Sequence, residues 1–325
     1  MEEEIILEDL KKISDFILEK DYFGIITHMS PDGDALGSAF SLCRALQSIK
    51  KHAKILCSDP VPEKFSYMNG FIKQEKFNPQ CLISVDVADE KLLGEKLKSF
   101  EHKVDVKIDH HKFGANFAKL NFVDSKSAAN CEIMYELILK LGIKIDKEIA
   151  TCLYTGIATD TGCFKFSNTT AKTHLITSKL MDLGISADKL NEKLFIKKSR
   201  KRLETEKLIN NNLEYFCDGK CAVTSVTLEE MEALKISENE LDGIASIPIE
   251  TEDVDIGVVI KEKTPNFYKI SVRTTEKVDA AEFCKKFEGG GHSRAAGFSS
   301  FLPVREIKEK ILRESEKYLN FQVQK

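Results

Sequence analysis

The chain has 325 residues, 42% of them hydrophobic and 31% charged, and a formal net charge of −4. That length supports two domains with a core each, and the slight acidity argues against a long nucleic acid held on a broad basic face, leaving short or small anionic substrates. No apolar run approaches the ~20 residues of a membrane span, and a Met-Glu-Glu-Glu start has the wrong charge for a secretory signal, so a cytoplasmic protein with no membrane partner is expected. The nine cysteines are scattered without a C-x-x-C pair, as in a protein of reduced thiols.

Ile6, Leu7, Leu10, Ile13, Ile17 and Leu18 recur at helical spacing and predict an amphipathic first helix. Residues 22–27 read as a first buried strand. It runs into His28, Asp32 and Asp34, with Pro31 and Gly33 marking a turn. Asp32 or Asp34 can cap the next helix, whose inner face carries Leu36, Phe40, Cys43, Leu46 and Ile49. A cap accounts for one acid, not for two acids and a histidine within one turn. Residues 53–57 predict a second strand and 81–86 a third, ending in Asp86. Residues 104–108 alternate as a fourth strand and run into Asp109-His110-His111. Residues 121–124 follow, then a helix through Glu132, Tyr135 and Leu139 that stops at Gly142. A further helix over 149–158 leads into Thr159-Asp160-Thr161-Gly162. Strands alternating with helices of this length imply an α/β fold with a parallel, doubly wound sheet.

Asp, His and Lys are ordinary loop residues, and the Asp109-His110-His111 triplet alone would pass for a solvated turn. Other segments, however, end the same way. In a parallel sheet these corners share one edge, beyond the carboxyl ends of the strands, where ligands collect. So many carboxylates and imidazoles repel one another unless a cation sits among them. Oxygen-rich donors with one or two histidines suit manganese or magnesium better than zinc, and the acids suffice for two ions. Two such ions about 3.5–4 Å apart activate a water and clamp both oxygens of an in-line phosphoryl displacement, so hydrolysis of a phosphate ester or anhydride is expected.

His28-x3-Asp32-x-Asp34, Val85-Asp86, Asp109-His110-His111 and Thr159-Asp160-Thr161-Gly162 resemble, in order and spacing, the four motifs of the DHH phosphoesterases. Carried over motif by motif, the resemblance implies one Mn2+ held by His28, Asp32 and Asp86. It implies a second held by Asp34, Asp86, His110 and Asp160, with Asp86 bridging and Mg2+ or Co2+ as substitutes. It also implies that Asp109 orients a histidine. His111 would then face the substrate, stabilising charge on the phosphate or protonating the leaving oxygen.

Beyond Thr169-Thr170 a helix through Leu175, Leu180 and Leu183 is predicted to end at Gly184. The charged stretch 196–213 reads as a solvated helix face, and as a linker lending positive field to a cleft. From 216 the pattern turns β-rich, over 221–226, 255–262 and 267–274, with turns at Gly219 and Pro265-Asn266. Residues 302–319 predict a closing amphipathic helix, with a frayed end after it. The expected division is a catalytic domain over 1–190, a charged helical linker over 191–215 and a smaller α/β substrate-binding domain over 216–325, with a cleft between the domains.

Gly289, Gly290 and Gly291 precede His292 and Arg294, and glycines there can let backbone amides approach an anion. This segment resembles the G-G-G-H run of the DHH-associated C-terminal domain, and Ser271-Val272-Arg273-Thr274 resembles its S-x-R-S/T strand. The resemblance implies that Arg273, His292 and the glycine loop grip the substrate's non-scissile phosphate or base from across the cleft, with Arg294 as a helper. Two positions depart from the family pattern. Glu288 stands where the family often has glycine, and Ser127-Ala128-Ala129-Asn130 stands where relatives carry a Ser/Thr run, leaving Asn130 to supply a substitute hydrogen bond to substrate.

A DHH domain followed directly by this C-terminal domain resembles the nanoRNase/pAp-phosphatase group, which cuts two- to five-nucleotide RNAs to mononucleotides and converts pAp to AMP. A cyclic-dinucleotide phosphodiesterase acting on c-di-AMP or pApA shares every motif. The Gly-Gly-Gly-His segment argues against a family II pyrophosphatase, and RecJ-type exonucleases are longer. A non-catalytic nucleotide sensor on the same fold would be marked by loss of a metal ligand, and every expected ligand is present. The sequence leaves the oligomeric state open, a homo-oligomer included.

Overall fold

The computed structural model describes residues 2–241 and 243–320. The expected frayed end falls on 321–325, outside the described residues, as do the side chains of Ile6 and Leu7. The chain divides into two compact units, Met1–Lys197 and Lys198–Lys325.

The first unit opens with helix α1 (Glu2–Glu19) and strand β1 (Phe23–Ile26). Next come α2 (Gly33–Ser48), β2 (Ala53–Leu56), β3 (Cys81–Val85), β4 (Val106–Asp109) and β5 (Leu120–Val123). Helices α3 (Asn130–Lys140), α4 (Lys147–Asp160), α5 (Ala171–Asp182) and α6 (Ala187–Asn191) complete it, the last running into a π turn, Glu192–Ile196. The five strands are parallel in the order β2-β1-β3-β4-β5. Side chains alternate along each strand. Ile25, Ile83 and Ile108 therefore enter the main core with Leu10 and Ile13 of α1, Leu42 of α2, Ile133 of α3 and Leu153 of α4. Ile26 and Leu82 enter a smaller core with Leu93 and Leu97 on the opposite face. That face is closed by two 3-10 turns, Glu90–Leu93 and Glu95–Phe100, in place of full helices. The order of the strands reverses at β1, so the carboxyl ends of β1 and β3 form the crevice where such sheets take their ligands.

The second unit begins with α7 (Arg200–Asn211), β6 (Glu214–Phe216), β7 (Cys221–Val226) and α8 (Leu228–Ala233). It continues with β8 (Ile256–Thr264), β9 (Phe267–Thr274), α9 (Ala280–Lys285), β10 (Gly290–Gly291), β11 (Ala295–Ser300) and α10 (Val304–Asn320). Its sheet runs β10-β11-β9-β8-β7-β6, with β7 and β8 parallel and the other neighbours antiparallel. Segment 191–215 is shared between the units. The π turn lies in the first, while α7 joins the second by burying Thr205 and Ile209, the latter against Val226, Leu241 and Val259. All nine cysteines are free thiols. Among the described residues no helix is long and apolar enough to cross a membrane.

Candidate metal centre and anion-binding edge

Of the two acids after β1, Asp32 makes the cap: its Oδ1 accepts from the N–H groups of Asp34 and Ala35, each at 3.0 Å. Asp34 is thereby turned inward and is 1% exposed. Its carboxylate accepts from the N–H groups of Asn130 (2.5 Å) and Cys131 (2.9 Å), the first residues of α3, where unsatisfied amides favour an anion. Glycines permit this crowding. A Cβ on Gly33 would stand 2.3 Å from Thr159 Oγ1, one on Gly37 2.5 Å from the Cys152 carbonyl oxygen, and one on Gly156 2.7 Å from Asp34 Oδ1. Backbone-to-backbone approach of α2 and α4 brings Asp160, the last residue of α4, up to Asp34.

Asp86 follows β3 in the left-handed region, φ 57°, a conformation that costs a side-chain-bearing residue on the order of 1 kcal/mol and recurs at functional sites. His110 Nε2 lies 3.5 Å from Asp86 Oδ1, 3.5 Å from Asp160 Oδ2 and 3.8 Å from Asp34 Oδ2. His28 Nε2 lies 3.8 Å from Asp32 Oδ1. Both rings are anchored through Nδ1, His28 to the Met29 carbonyl at 2.8 Å and His110 to the Ser127 carbonyl at 3.2 Å. Donation from Nδ1 fixes the tautomer that leaves Nε2 as a ligand. His111 is anchored differently: its Nδ1 donates to Asp109 Oδ1 at 2.7 Å.

Burial, followed by the carboxylates of Asp34, Asp32, Asp160 and Asp109, raises the Asp86 pKa well above the usual carboxylate value. Burial and then Asp34 push Asp160 up to about 7, with His110 opposing. Burial also raises Asp34, with His110 opposing and Asp32 adding to the rise. Burial works against the charge on Asp109 too, but the His111 hydrogen bond and Lys107 outweigh it and hold its pKa at about 2. Asp34, Asp86 and Asp160 thus destabilise one another, with the His110 imidazole opposing the rise of Asp34 and Asp160. Asp86 Oδ1 is buried without a hydrogen-bond partner. Three sets of donors each gather ligand atoms within 4.8 Å of one another: His28, Asp32 and Asp86; Asp34, His110 and Asp160; Asp86, His110 and His111. Such a donor set, with an orphaned carboxylate oxygen at its centre, fits hard divalent cations.

Asn130 departs from the expectation. It is 0% exposed, its amide donates to Ser38 Oγ at 2.9 Å, and its backbone N–H holds Asp34. It holds the Asp34 carboxylate in place and is itself closed off from solvent. The preceding Ser127, Ala128 and Ala129 are buried as well.

In the second unit Arg273 sits on β9 with Gly257 and Ala295 as its neighbours across the sheet. Its guanidinium is half-buried, donates to the Val272 carbonyl at 3.0 Å, and has its pKa lowered by burial. Among the described residues no carboxylate pairs with it. The glycine run serves packing more than amide donation. The Gly289 N–H goes to the Cys284 carbonyl and the His292 N–H to the Ala295 carbonyl. A Cβ on Gly289 or Gly291 would meet β11 backbone at 2.4 or 2.6 Å, whereas Gly290 faces open space. The His292 ring is exposed. Arg294 clamps the carbonyls of Thr275 and Val278, so it braces the turn after β9. Glu288 occupies a left-handed position, φ 59°, where glycine is free of strain.

Three residues that shape the centre carried no role in the sequence reading. Gly37 and Gly156 had a signal, since Gly33 and Gly37 lie four apart on one helix face. Lys107 had none, because it alternates with the apolar Val104, Val106 and Ile108 and so reads as facing away from the core.

A metal-dependent phosphoesterase is the class this sheet edge defines. The chain belongs to the DHH family of phosphoesterases, which are hydrolases: the DHH family N-terminal domain matches residues 23–157 and the DHHA1 domain matches residues 218–320. It is 31% identical over 281 residues to a bifunctional oligoribonuclease and PAP phosphatase NrnA of Thermus thermophilus, covering 84% of this chain and 82% of that one. It is 27% identical over 292 residues to the protein of the same name from Bacillus subtilis, covering 84% and 88%. A crystal structure of an exopolyphosphatase-related protein from Bacteroides fragilis superposes with a TM-score of 0.85 at 24% identity, covering 97% of this chain and 96% of that one.

Proposed function

We propose that the chain hydrolyses RNA oligonucleotides of a few residues to mononucleotides and converts pAp to AMP, using two Mn2+ ions for which Mg2+ or Co2+ can substitute. The observation that carries this reading is the shared position of Asp86 between two donor sets, one with His28 and Asp32, the other with His110 and His111, His110 itself joining Asp34 and Asp160. The likeness to relatives named as oligoribonucleases and PAP phosphatases supports the choice of substrate. Bound at those donors, a pair of ions supplies Lewis-acid activation of a water and neutralises charge on the phosphoryl oxygens.

The chain's own groups do the rest. Asp34, fixed by the α3 amides, and His28 and His110, fixed through Nδ1, hold their ligand atoms in place before any ion arrives. Asp109 keeps one His111 proton on Nδ1, so that Nε2 takes up a second; the protonated Nε2 then donates to a phosphate oxygen or passes its proton to the departing oxygen. Arg273, without a carboxylate partner, and the exposed His292 are assigned to the substrate's second phosphate or its base. Recognition of that group favours short substrates, because positioning a terminal phosphate fixes which bond is cut.

The deciding experiment is Mn2+-dependent turnover of a matched panel: an RNA dinucleotide, a five-mer, a long RNA, pAp, pApA and c-di-AMP. Fast release of mononucleotides from the short RNAs and AMP from pAp is expected. Preferential opening of c-di-AMP would replace this reading with a cyclic-dinucleotide phosphodiesterase. Tight binding without product would leave a nucleotide sensor.

A further inference from the structure

Lys107 lies on β4 and is 1% exposed. A lysine is almost never so deeply buried without a dedicated partner. Its Nζ stands 3.1 Å from Asp109 Oδ2, and it donates to the carbonyl oxygens of Ala88 at 3.0 Å and Ala115 at 2.9 Å. The Phe117 ring lies beside it, 5.1 Å from Nζ to the centroid. The two carbonyls take two of the ammonium protons, and the Asp109 carboxylate supplies the counter-charge. Asp109 is 0% exposed, and its other oxygen receives the His111 ring N–H and the backbone N–H groups of His110 (2.9 Å) and His111 (3.3 Å). A buried ion pair is seldom the cheapest way to fill a core, because apolar residues of the same volume are often as stable.

What the pair achieves here is a division of labour among five neighbouring carboxylates. Among the described residues Asp109 is ion-paired with a lysine, whereas no lysine or arginine ion pair is seen at Asp32, Asp34, Asp86 or Asp160. We propose that Lys107 is a positioning residue for the hydrolysis: it neutralises Asp109 and fixes its carboxylate so that it orients His111 instead of joining the cluster as a further metal ligand. Without the cation, Asp109 is an uncompensated anion one residue from His110 and is drawn to any divalent ion bound there. The centre then holds metal more tightly and turns over more slowly, because His111 has lost its anchor. General damage to the fold would instead weaken metal binding.

The kinetic half of the proposal rests on the phosphoesterase reading above; the metal-binding half does not. The test is calorimetric titration of metal-free protein with Mn2+, together with steady-state kinetics on an RNA dinucleotide, for Lys107→Met, Asp109→Asn and the double variant. Lys107→Met is expected to bind Mn2+ about ten-fold more tightly and to lose about 10–100-fold in kcat at unchanged KM. Adding Lys107→Met to Asp109→Asn is expected to change neither quantity, since no carboxylate remains to be released. Unchanged or weaker Mn2+ binding in Lys107→Met overturns the proposal, as does a further fall in kcat in the double variant. Should Lys107→Met fail to fold, the double variant, a neutral pair of nearly the same shape, decides against Asp109→Asn alone. If no RNA is cleaved by the unmodified protein, the substrate reading fails and the calorimetry still decides the role of Lys107.

Discussion

Gly156 faces Asp34 with no space between them: a Cβ on the glycine would stand 2.7 Å from Asp34 Oδ1, and 2.2 Å from the neighbouring Cys131 Sγ. A helix-interior glycine is thus part of the metal centre, since its missing side chain is the volume that the carboxylate occupies. Gly156→Ala is expected to cost about 1–3 kcal/mol of stability through overpacking and to displace Asp34, with a fall in Mn2+ affinity. Cys131→Ala in the same chain removes the sulfur clash but not the carboxylate clash, so it should recover stability more than turnover. Thermal melts and kinetics on the two variants check this; full activity in Gly156→Ala would mean that the packing has no bearing on the site.

Asp86 is pushed up by burial and then by four neighbouring carboxylates. Asp86→Asn is expected to melt at a higher temperature than the unmodified protein when both are chelated, because a buried like-charge conflict has been relieved. Its turnover should fall by on the order of 100-fold or more. The unmodified protein should gain about 2.7 kcal/mol at a Mn2+ concentration of about 100 Kd, and the variant far less. A chelated variant less stable than its parent would count against the electrostatic account.

The pH dependence of the chelated protein follows from the sign of the shifts. Asp160 has a folded pKa of about 7, above the value of about 4 in an unfolded chain. Between those values the folded state holds more protons, so stability decreases as pH rises through that window. His28 is raised although burial opposes it, because the Asp32 hydrogen bond, the Met29 carbonyl and nearby carboxylates outweigh burial. His110 is raised against burial by Asp34 and Asp160. Their protons stabilise the fold below about 6.5 and are lost as pH climbs through the raised values, so they act in the same direction. The melting temperature in chelator should therefore fall from about pH 4 to 7, and Asp160→Asn should flatten the slope. A rise across that window would sink the prediction.

Arg273 has no carboxylate partner among the described residues, and its guanidinium is already partly stripped of water. Arg273→Ala is expected to raise KM for pAp about ten-fold or more while kcat changes little, the loss of one charge-assisted contact. Arg273→Lys should recover only part of it, since an ammonium lacks the planar fork. An unaltered KM would move phosphate recognition elsewhere.

The convergence of the candidate donors was legible because each is announced locally, by an acid or histidine where a strand or helix runs out. Their convergence follows from parallel topology alone. Asn130 was misread because the sequence shows a polar residue at a helix start but not that Ser38 and Asp34 already claim its donors. The glycine loop was read as an amide cradle, yet the Gly289 amide is spent on Cys284 at the end of α9 and the His292 amide on Ala295 in the turn between β10 and β11. The alternation of β4 sets Lys107 on the face opposite Val106 and Ile108, so its burial was not legible in the sequence. Its meaning needed Ala88 and Ala115, which the chain brings together from either side of it.

The order of the ligands along the chain has a consequence for synthesis. His28, Asp86, His110 and Asp160 come from β1, β3, β4 and α4 in turn, so a ribosome delivers three sides of the charge cage well before the fourth. Until α4 has emerged and packed its glycine face on α2, the carboxylates meet only each other and water. A divalent ion binding among these donors would therefore be a late event in the formation of this unit.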